Sequence, residues 1–223
     1  MQKFDTPAPV AVVVDIPAGR LQVIAADRTD TTVEVRPANS AKSRDVKAAE
    51  QATVDYRDGV LRIDAPAAKN QYFGPSGSVE VTVRLPAGSR IEGKSSCAEF
   101  RGVGRLGDIT FDGANGAIKI DEAASVRLAA LAGDVVVGRL GGPAEISTQQ
   151  GDIKIAEAVR GTVALATQMG DVSIGAARGV SASLDAGTGY GRIHNALKNT
   201  DDGAADLNIH ATTSHGDITA RSL

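Results

Sequence analysis

A chain of 223 residues suffices for one well-sized core or two modest domains. Its formal charge of −3 excludes a general attraction for nucleic acid or anionic membrane, and is too small to suggest disorder. With no Trp, four Phe and three Tyr against 25 Gly, the core must be built from Val, Ile, Leu and Ala in thin layers.

The opening stretch, MQKFDTPAPVAVVVDIPAG, has one apolar run, Val10 to Val14. Asp15 interrupts it, so it is too short for a secretory h-region or a bilayer span. No later segment reaches membrane length. Cys97 is the only cysteine, so no intrachain disulfide forms, which fits a reducing compartment. A soluble, cytoplasmic protein is the expectation.

In chain order, alternating apolar residues predict strands at Val10–Ile16, Arg20–Ala25, Thr32–Arg36, Thr53–Tyr56, Val60–Ala65, Val79–Leu85 and Arg90–Gly93. Ala41 to Ala52 (AKSRDVKAAEQA) is the one helix-compatible stretch among them. Asp58-Gly59 reads as a hairpin turn. The run Asp15-Ile16-Pro17-Ala18-Gly19 is echoed by Arg84-Leu85-Pro86-Ala87-Gly88. Asn70 to Gly77 reads as a loop carrying Tyr72 and Phe73. Residues 1–88 are therefore expected to form a β-rich, antiparallel cap with one short helix.

Residues 89–223 read differently, because a corner signature keeps returning. Gly-Asp occurs at Gly107-Asp108, Gly133-Asp134, Gly151-Asp152, Gly170-Asp171 and Gly216-Asp217, with degenerate copies at Gly116-Ala117 and Gly191-Arg192. The spacing drifts from 17 residues (Gly116 to Gly133) to 25 (Gly191 to Gly216), as in a coil with fixed strands and tolerant corners. After each corner an alternating pair points inward, as in Ile153/Ile155 and Val172/Ile174. Before the next corner a large aliphatic lies five residues ahead of the glycine at Leu128, Ile146 and Leu165. At Leu184 and Ile209 it lies seven ahead, a shift of two that keeps strand parity. Leu140, Val159 and Ala177 are expected to fill the looser inner angle. This all-β pattern predicts a β-solenoid, a stack of short parallel strands whose core exists only through stacking.

Aligned carboxylates at Asp108, Asp134, Asp152, Asp171 and Asp217 raise a calcium reading. One carboxylate per coil is too sparse an oxygen shell, so Asp is expected to accept backbone N–H groups beside a conformationally special glycine. His194, His210 and His215 cluster near the C-terminus without ligand spacing and read as surface residues. Cys97 has no activating base nearby and reads as a half-buried inert thiol. Gly74-Pro75-Ser76-Gly77 is not a nucleophile elbow. Gly102 to Gly107 resembles a dinucleotide loop but leads into a strand, which removes the phosphate-binding mechanism. Glu122, Glu145, Glu157 and Asp185 could serve a polysaccharide-cleaving groove if folding paired two of them. No metal and no cofactor is expected.

Repeats of the form T/S-x-x-G-D-I/V-x-I, ending in Ser214-His215-Gly216-Asp217-Ile218-Thr219-Ala220, resemble the bacterial DUF4097 family of adhesin-like β-strand-repeat proteins. The likeness covers Gly88 to Leu223 well and the first half more loosely. It implies a β-solenoid and supplies no catalytic motif for these residues.

The expected function is a non-catalytic scaffold or interaction protein that binds a protein or a glycan. Tyr72, Phe73, Tyr190, His194, His210 and His215 are the candidate contact residues. A polysaccharide-acting β-helix enzyme and a chain that self-associates through an end coil or exposed edge are the alternatives. Nucleic acid and membrane insertion are not expected.

Overall fold

The computed structural model describes residues 1–65, 77–198 and 205–223, which form seventeen strands and one helix. The fold is an all-β solenoid, and the chain divides into two compact units, Met1–Gly116 and Ala117–Leu223. The loop candidates Tyr72, Phe73 and Ser76 lie outside the described residues.

The first unit contains β1 (Gln2–Asp5), β2 (Ala11–Ala26), β3 (Asp30–Pro37), α1 (Ser43–Gln51), β4 (Thr53–Arg57), β5 (Val60–Asp64), β6 (Val79–Pro86) and β7 (Arg90–Asn115). Strand β2 is its centre. The first half of β2 runs parallel to β5 on one side and β7 on the other, and its second half lies parallel between β6 and β7. Val12 thus stacks between Leu61 and Ile91, all three buried. Solenoid stacking therefore begins within β2. The antiparallel expectation holds only for the outer strands: β3 against β6, β1 against β3, and β4 against β5.

The β4–β5 connection uses Asp58 and Gly59, both at positive φ (51° and 76°), as a two-residue hairpin turn requires. Helix α1 falls inside the predicted Ala41–Ala52 and packs its buried Ala48 toward β3 and β6. The carboxylate of the buried Asp45 accepts the Ser78 N–H at 3.0 Å, tying the helix to the start of β6. Two of the few aromatics, Phe100 and Phe111, are buried and stacked at 5.1 Å.

At the outer edge of this unit, Asp30 meets Arg28 at 2.8 Å and Lys3 of β1 at 3.2 Å. The Arg28 hydrogen bond, helped by Lys3, holds the Asp30 carboxyl below the usual carboxylate range against the opposing effect of desolvation.

The second unit contains β8 (Ile118–Ala132), β9 (Val135–Leu140), β10 (Ala144–Gln150), β11 (Ile153–Ala158), β12 (Gly161–Met169), β13 (Val172–Ala176), β14 (Ala182–Tyr190), β15 (Ile193–Ala196), β16 (Leu207–His215) and β17 (Ile218–Ser222). All pair in parallel. The strands that precede the corners run in the spatial order β8, β10, β12, β16, β14. Those that follow run β8, β9, β11, β13, β17, β15. Leu128, Ile146, Leu165 and Ala211 form one buried row, and Ile118, Val135, Ile153, Val172 and Ile218 another.

The two-residue shift is accommodated as parity requires, since Val163, Ile209 and Leu184 share one register. The inner angle differs from expectation at one residue. Ala158, fully buried, aligns with Leu140, while Val159 is half-buried. The reason is that β9 and β11 stay in register to their last residues, which puts Ala158, not Val159, at the position equivalent to Leu140. Stacking order also departs from chain order. The last coil, β16–β17, lies between β12–β13 and β14–β15, so the penultimate coil forms the edge.

Among the described residues, no helix is long and apolar enough to cross a membrane.

Two predictions follow the packing and one the Asp30 pair. Leu165 is 2% exposed between Ile146 and Ala211, so Leu165→Asp should remove several kcal/mol and unfold the unit broadly. Lys154→Asp, on the solvent side of β11, should change stability by no more than about 0.5 kcal/mol. Near-equal melting temperatures for the two would overturn the register. The Asp30 contribution is present above the unfolded carboxylate pKa and disappears as pH falls through the lower folded value. An acid titration of Asp30→Asn should show a correspondingly shallower loss of stability than the parent chain.

Candidate functional site: the corner ladders and the exposed row beside them

Each coil of the second unit turns at a glycine because neighbouring corners come too close for a side chain. Gly151 and Gly170 sit at φ of 134° and 149°. A methyl group on Gly170 would overlap the carbonyl oxygen of Gly151, and one on Gly216 would overlap that of Gly170. Glycine thus meets a torsional and a steric demand together.

The flanking Thr and Asp satisfy the backbone groups left at this turn. Asp134 Oδ1 accepts the Asp152 N–H at 3.0 Å, and Asp152 Oδ1 accepts that of Asp171 at 2.8 Å. Asp171 Oδ1 accepts the Asp217 N–H at 2.7 Å, and Asp217 Oδ1 accepts that of Arg192 at 2.8 Å. A threonine three residues before the glycine completes the motif. Thr167 donates to the Gly151 carbonyl at 3.1 Å, Thr213 to Gly170 at 3.0 Å and Thr188 to Gly216 at 3.0 Å. At Thr167 and Thr213 of T-x-x-G-D, and at Thr188 before Gly191-Arg192, the hydroxyl caps a neighbouring coil's C=O. Thr148 instead donates to the Gln150 carbonyl of its own coil at 3.2 Å. The Asp carboxylates cap a neighbour's N–H.

This ladder has a direction, and Arg192 ends it. Its N–H is received by Asp217, and its guanidinium returns to Asp217 Oδ2 at 3.3 Å. Arg192 has no carboxylate to receive a further coil. If the coils stacked in chain order, Asp217 would follow Arg192 and lose its acceptor. The inserted position of β16–β17 keeps these acceptors in use, a physical reason for the inverted order.

Beside the corners runs an exposed row. Gln150, Met169, His215 and Tyr190 are in register on adjacent strands. Met169 is 56% exposed and Tyr190 75%, and the Tyr190 and His215 rings stack at 5.1 Å. His210 lies farther back along β16, 3.4 Å from Asp185, and His194 is on β15 in register with Thr219. The three histidines do not converge. Among the described residues, no group of three His, Cys, Asp or Glu is arranged to hold a metal ion.

The candidate acids are dispersed. Glu145 pairs with Arg127 at 3.2 Å and Glu157 with Arg139 at 3.9 Å, while Glu122 shares a register position with Arg139. Gly102 to Gly107 lies within β7, with no helix start at hand to hold a phosphate. Cys97 is exposed, not half-buried. Strand alternation slips at the bend of β7, where consecutive Ser96 and Cys97 both face solvent.

The row and the threonine ladder are what composition alone obscures. Tyr190 and His215 are among the sequence candidates, whereas Met169 looks like an ordinary apolar residue until the register places it beside them, outside the core. The recurring threonine is visible in the sequence, but its acceptor belongs to another coil.

The family comparison agrees with this architecture. A family model described as Toastrack DUF4097 matches residues 13–222, taking in the first half of the chain as well as the repeats. No curated protein matches the chain. A solved candidate adhesin from Parabacteroides distasonis is 15% identical, with 98% of this chain and 95% of that one covered and a TM-score of 0.49. A candidate cell adhesion protein from Clostridium sporogenes is 12% identical over 100% and 98%, with a TM-score of 0.42. A candidate lipid-binding protein, also from Parabacteroides distasonis, is 11% identical over 98% and 95%, with a TM-score of 0.43.

The ladders make a graded prediction. Thr213→Val, near-isosteric at a buried site, should lose about 1 kcal/mol through the unsatisfied Gly170 carbonyl, while Thr213→Ser should recover most of it. Gly170→Ala should cost more than either, because the clash is with backbone. Thermal melts of the three variants test the order, and a silent Gly170→Ala would contradict the corner geometry.

Proposed function

Because the chain belongs to the Toastrack DUF4097 family, we propose that it works as a non-catalytic β-solenoid scaffold that binds a protein or glycan partner. The single observation that supports this most is the exposed row Gln150–Met169–His215–Tyr190. Four positions on adjacent strands span roughly 15 Å, at about 4.8 Å per strand. They offer a surface with a polarizable thioether within the row and a stacked ring pair at its outer end, on β16 and the edge strand β14.

The chemistry suits recognition better than turnover. A tyrosine ring gives a large contact area at little entropic expense, and its open face can stack on a sugar or pack on a side chain. Methionine adapts to irregular partners. The corner carboxylates, in contrast, are engaged with backbone N–H groups and serve the scaffold.

Capture from a native lysate and a glycan array, each with the full chain, test the reading. Met169→Ala and Tyr190→Ala together should weaken binding to the ligand so found by tenfold or more, as central interface residues do. Their melting temperatures should stay near that of the parent, because both side chains are largely outside the core. Unchanged binding by the double variant, or release of sugar fragments by the parent chain, would overturn the proposal.

A further inference from the structure

We propose that two copies of this chain join through strand β14, paired antiparallel about a two-fold axis at Ala186. Among the described residues β14 pairs with β16 alone, leaving a nine-residue strand with one open edge. Alternate backbone N–H and C=O groups along such an edge are a template for another strand.

The edge lacks the usual defences. Ala182 to Tyr190 (ASLDAGTGY) contains no lysine and no proline, and its single charge, Asp185, lies 3.4 Å from His210. Outer strands of the first unit are guarded differently. There, β1 is four residues long with Lys3 and Asp5, and β4 is five long with Asp55 and Arg57. The stacked core is also incompletely covered at β14. Leu184 is half-buried, whereas Ile209 and Val163 in the same register are fully buried.

Two features select a second copy in the antiparallel sense over continued parallel growth. The first is the corner ladder, which ends at Arg192 with no carboxylate to receive another parallel coil. The second is the charge pattern of the strand itself. A two-fold axis at Ala186 sets Asp185 opposite the partner's Gly187 and Leu184 opposite the partner's Thr188. No like charges are opposed, and the inward row of one copy continues the inward row of the other. The pairing is isologous, so it closes at two chains. Its test uses other residues than the ligand test, since Asp185 and Gly187 are outside the exposed row, although Tyr190 at the end of β14 belongs to both surfaces.

The register makes a sign-reversing test possible at one position. A side chain at Gly187 meets nothing within 4 Å, so substitution leaves the monomer undisturbed. Sedimentation equilibrium and light scattering of the full chain should give twice the 22.8 kDa chain mass, with a concentration-dependent approach to it. Gly187→Asp places two symmetric like-charge pairs across the axis and should raise the dimer dissociation constant roughly two- to thirtyfold. Gly187→Lys places two opposite-charge pairs there and should lower it by a similar factor. Both variants should melt with the parent when measured as monomers. A monomeric parent at all concentrations, masses above two chains, or a dimer indifferent to the sign at position 187 would each overturn the proposal.

Discussion

Close approach of one glycine corner to the next is the constraint on which the second unit depends. At Gly170 and Gly216 the space where a Cβ would stand is already occupied by a neighbouring carbonyl oxygen. Coils can then stack at strand spacing with their corners aligned, and alignment puts every inward Val, Ile or Leu over its counterpart. Thin apolar rows such as Ile153–Val172–Ile218 are buried only because the corners permit that register. Core and corner are one arrangement seen at two places.

Tight corners leave polar backbone groups in need of partners, and the T-x-x-G-D motif answers that need with side chains from adjacent coils. Threonine gives a hydrogen to a glycine carbonyl, and aspartate receives an amide hydrogen. Both are interactions between coils, so they add to stability only in the stack, as expected for a repeat protein whose units cannot fold alone. This use of the carboxylates also separates scaffold from surface chemistry. What remains for recognition stands beside the corners, in residues such as Met169 and Tyr190 that the ladders do not employ.

Directionality of the aspartate ladder has a further consequence. A chain of donors and acceptors must end, and it ends at the coil whose corner residue is Arg192. Placing that coil outermost while it precedes the last coil in sequence produces the inserted β16–β17 arrangement. The same residue closes the corner to parallel extension while the flat, side-chain-poor strand β14 beside it stays open. Termination of the ladder and exposure of the edge are thus properties of one coil.

Much of the fold was legible in local pattern. Alternation of period two located most of the strands, though not β1, and Asp58-Gly59 located the hairpin, because each depends on residues adjacent in the chain. Gly133, Gly151, Gly170 and Gly216 stand at positive φ between strands, whereas Gly107-Asp108, read as a corner from the same signature, lies within β7. The shift at Leu184 and Ile209 could be read for the same reason: strand parity is counted along the backbone. Stacking order was decided only in three dimensions, since β14 and β16 carry the same apolar phase and either could have followed β12. So was the parallel pairing of β2 with β5, β6 and β7, which the hairpin-like sequence of the first half does not express. Exposure of Cys97 and of the Met169–His215–Tyr190 row likewise depends on where strands bend and what lies beside them. Local sequence determined which residues could face inward, and tertiary contact decided which neighbour each would meet, because hydrogen-bond partners between coils are chosen by space and not by chain order.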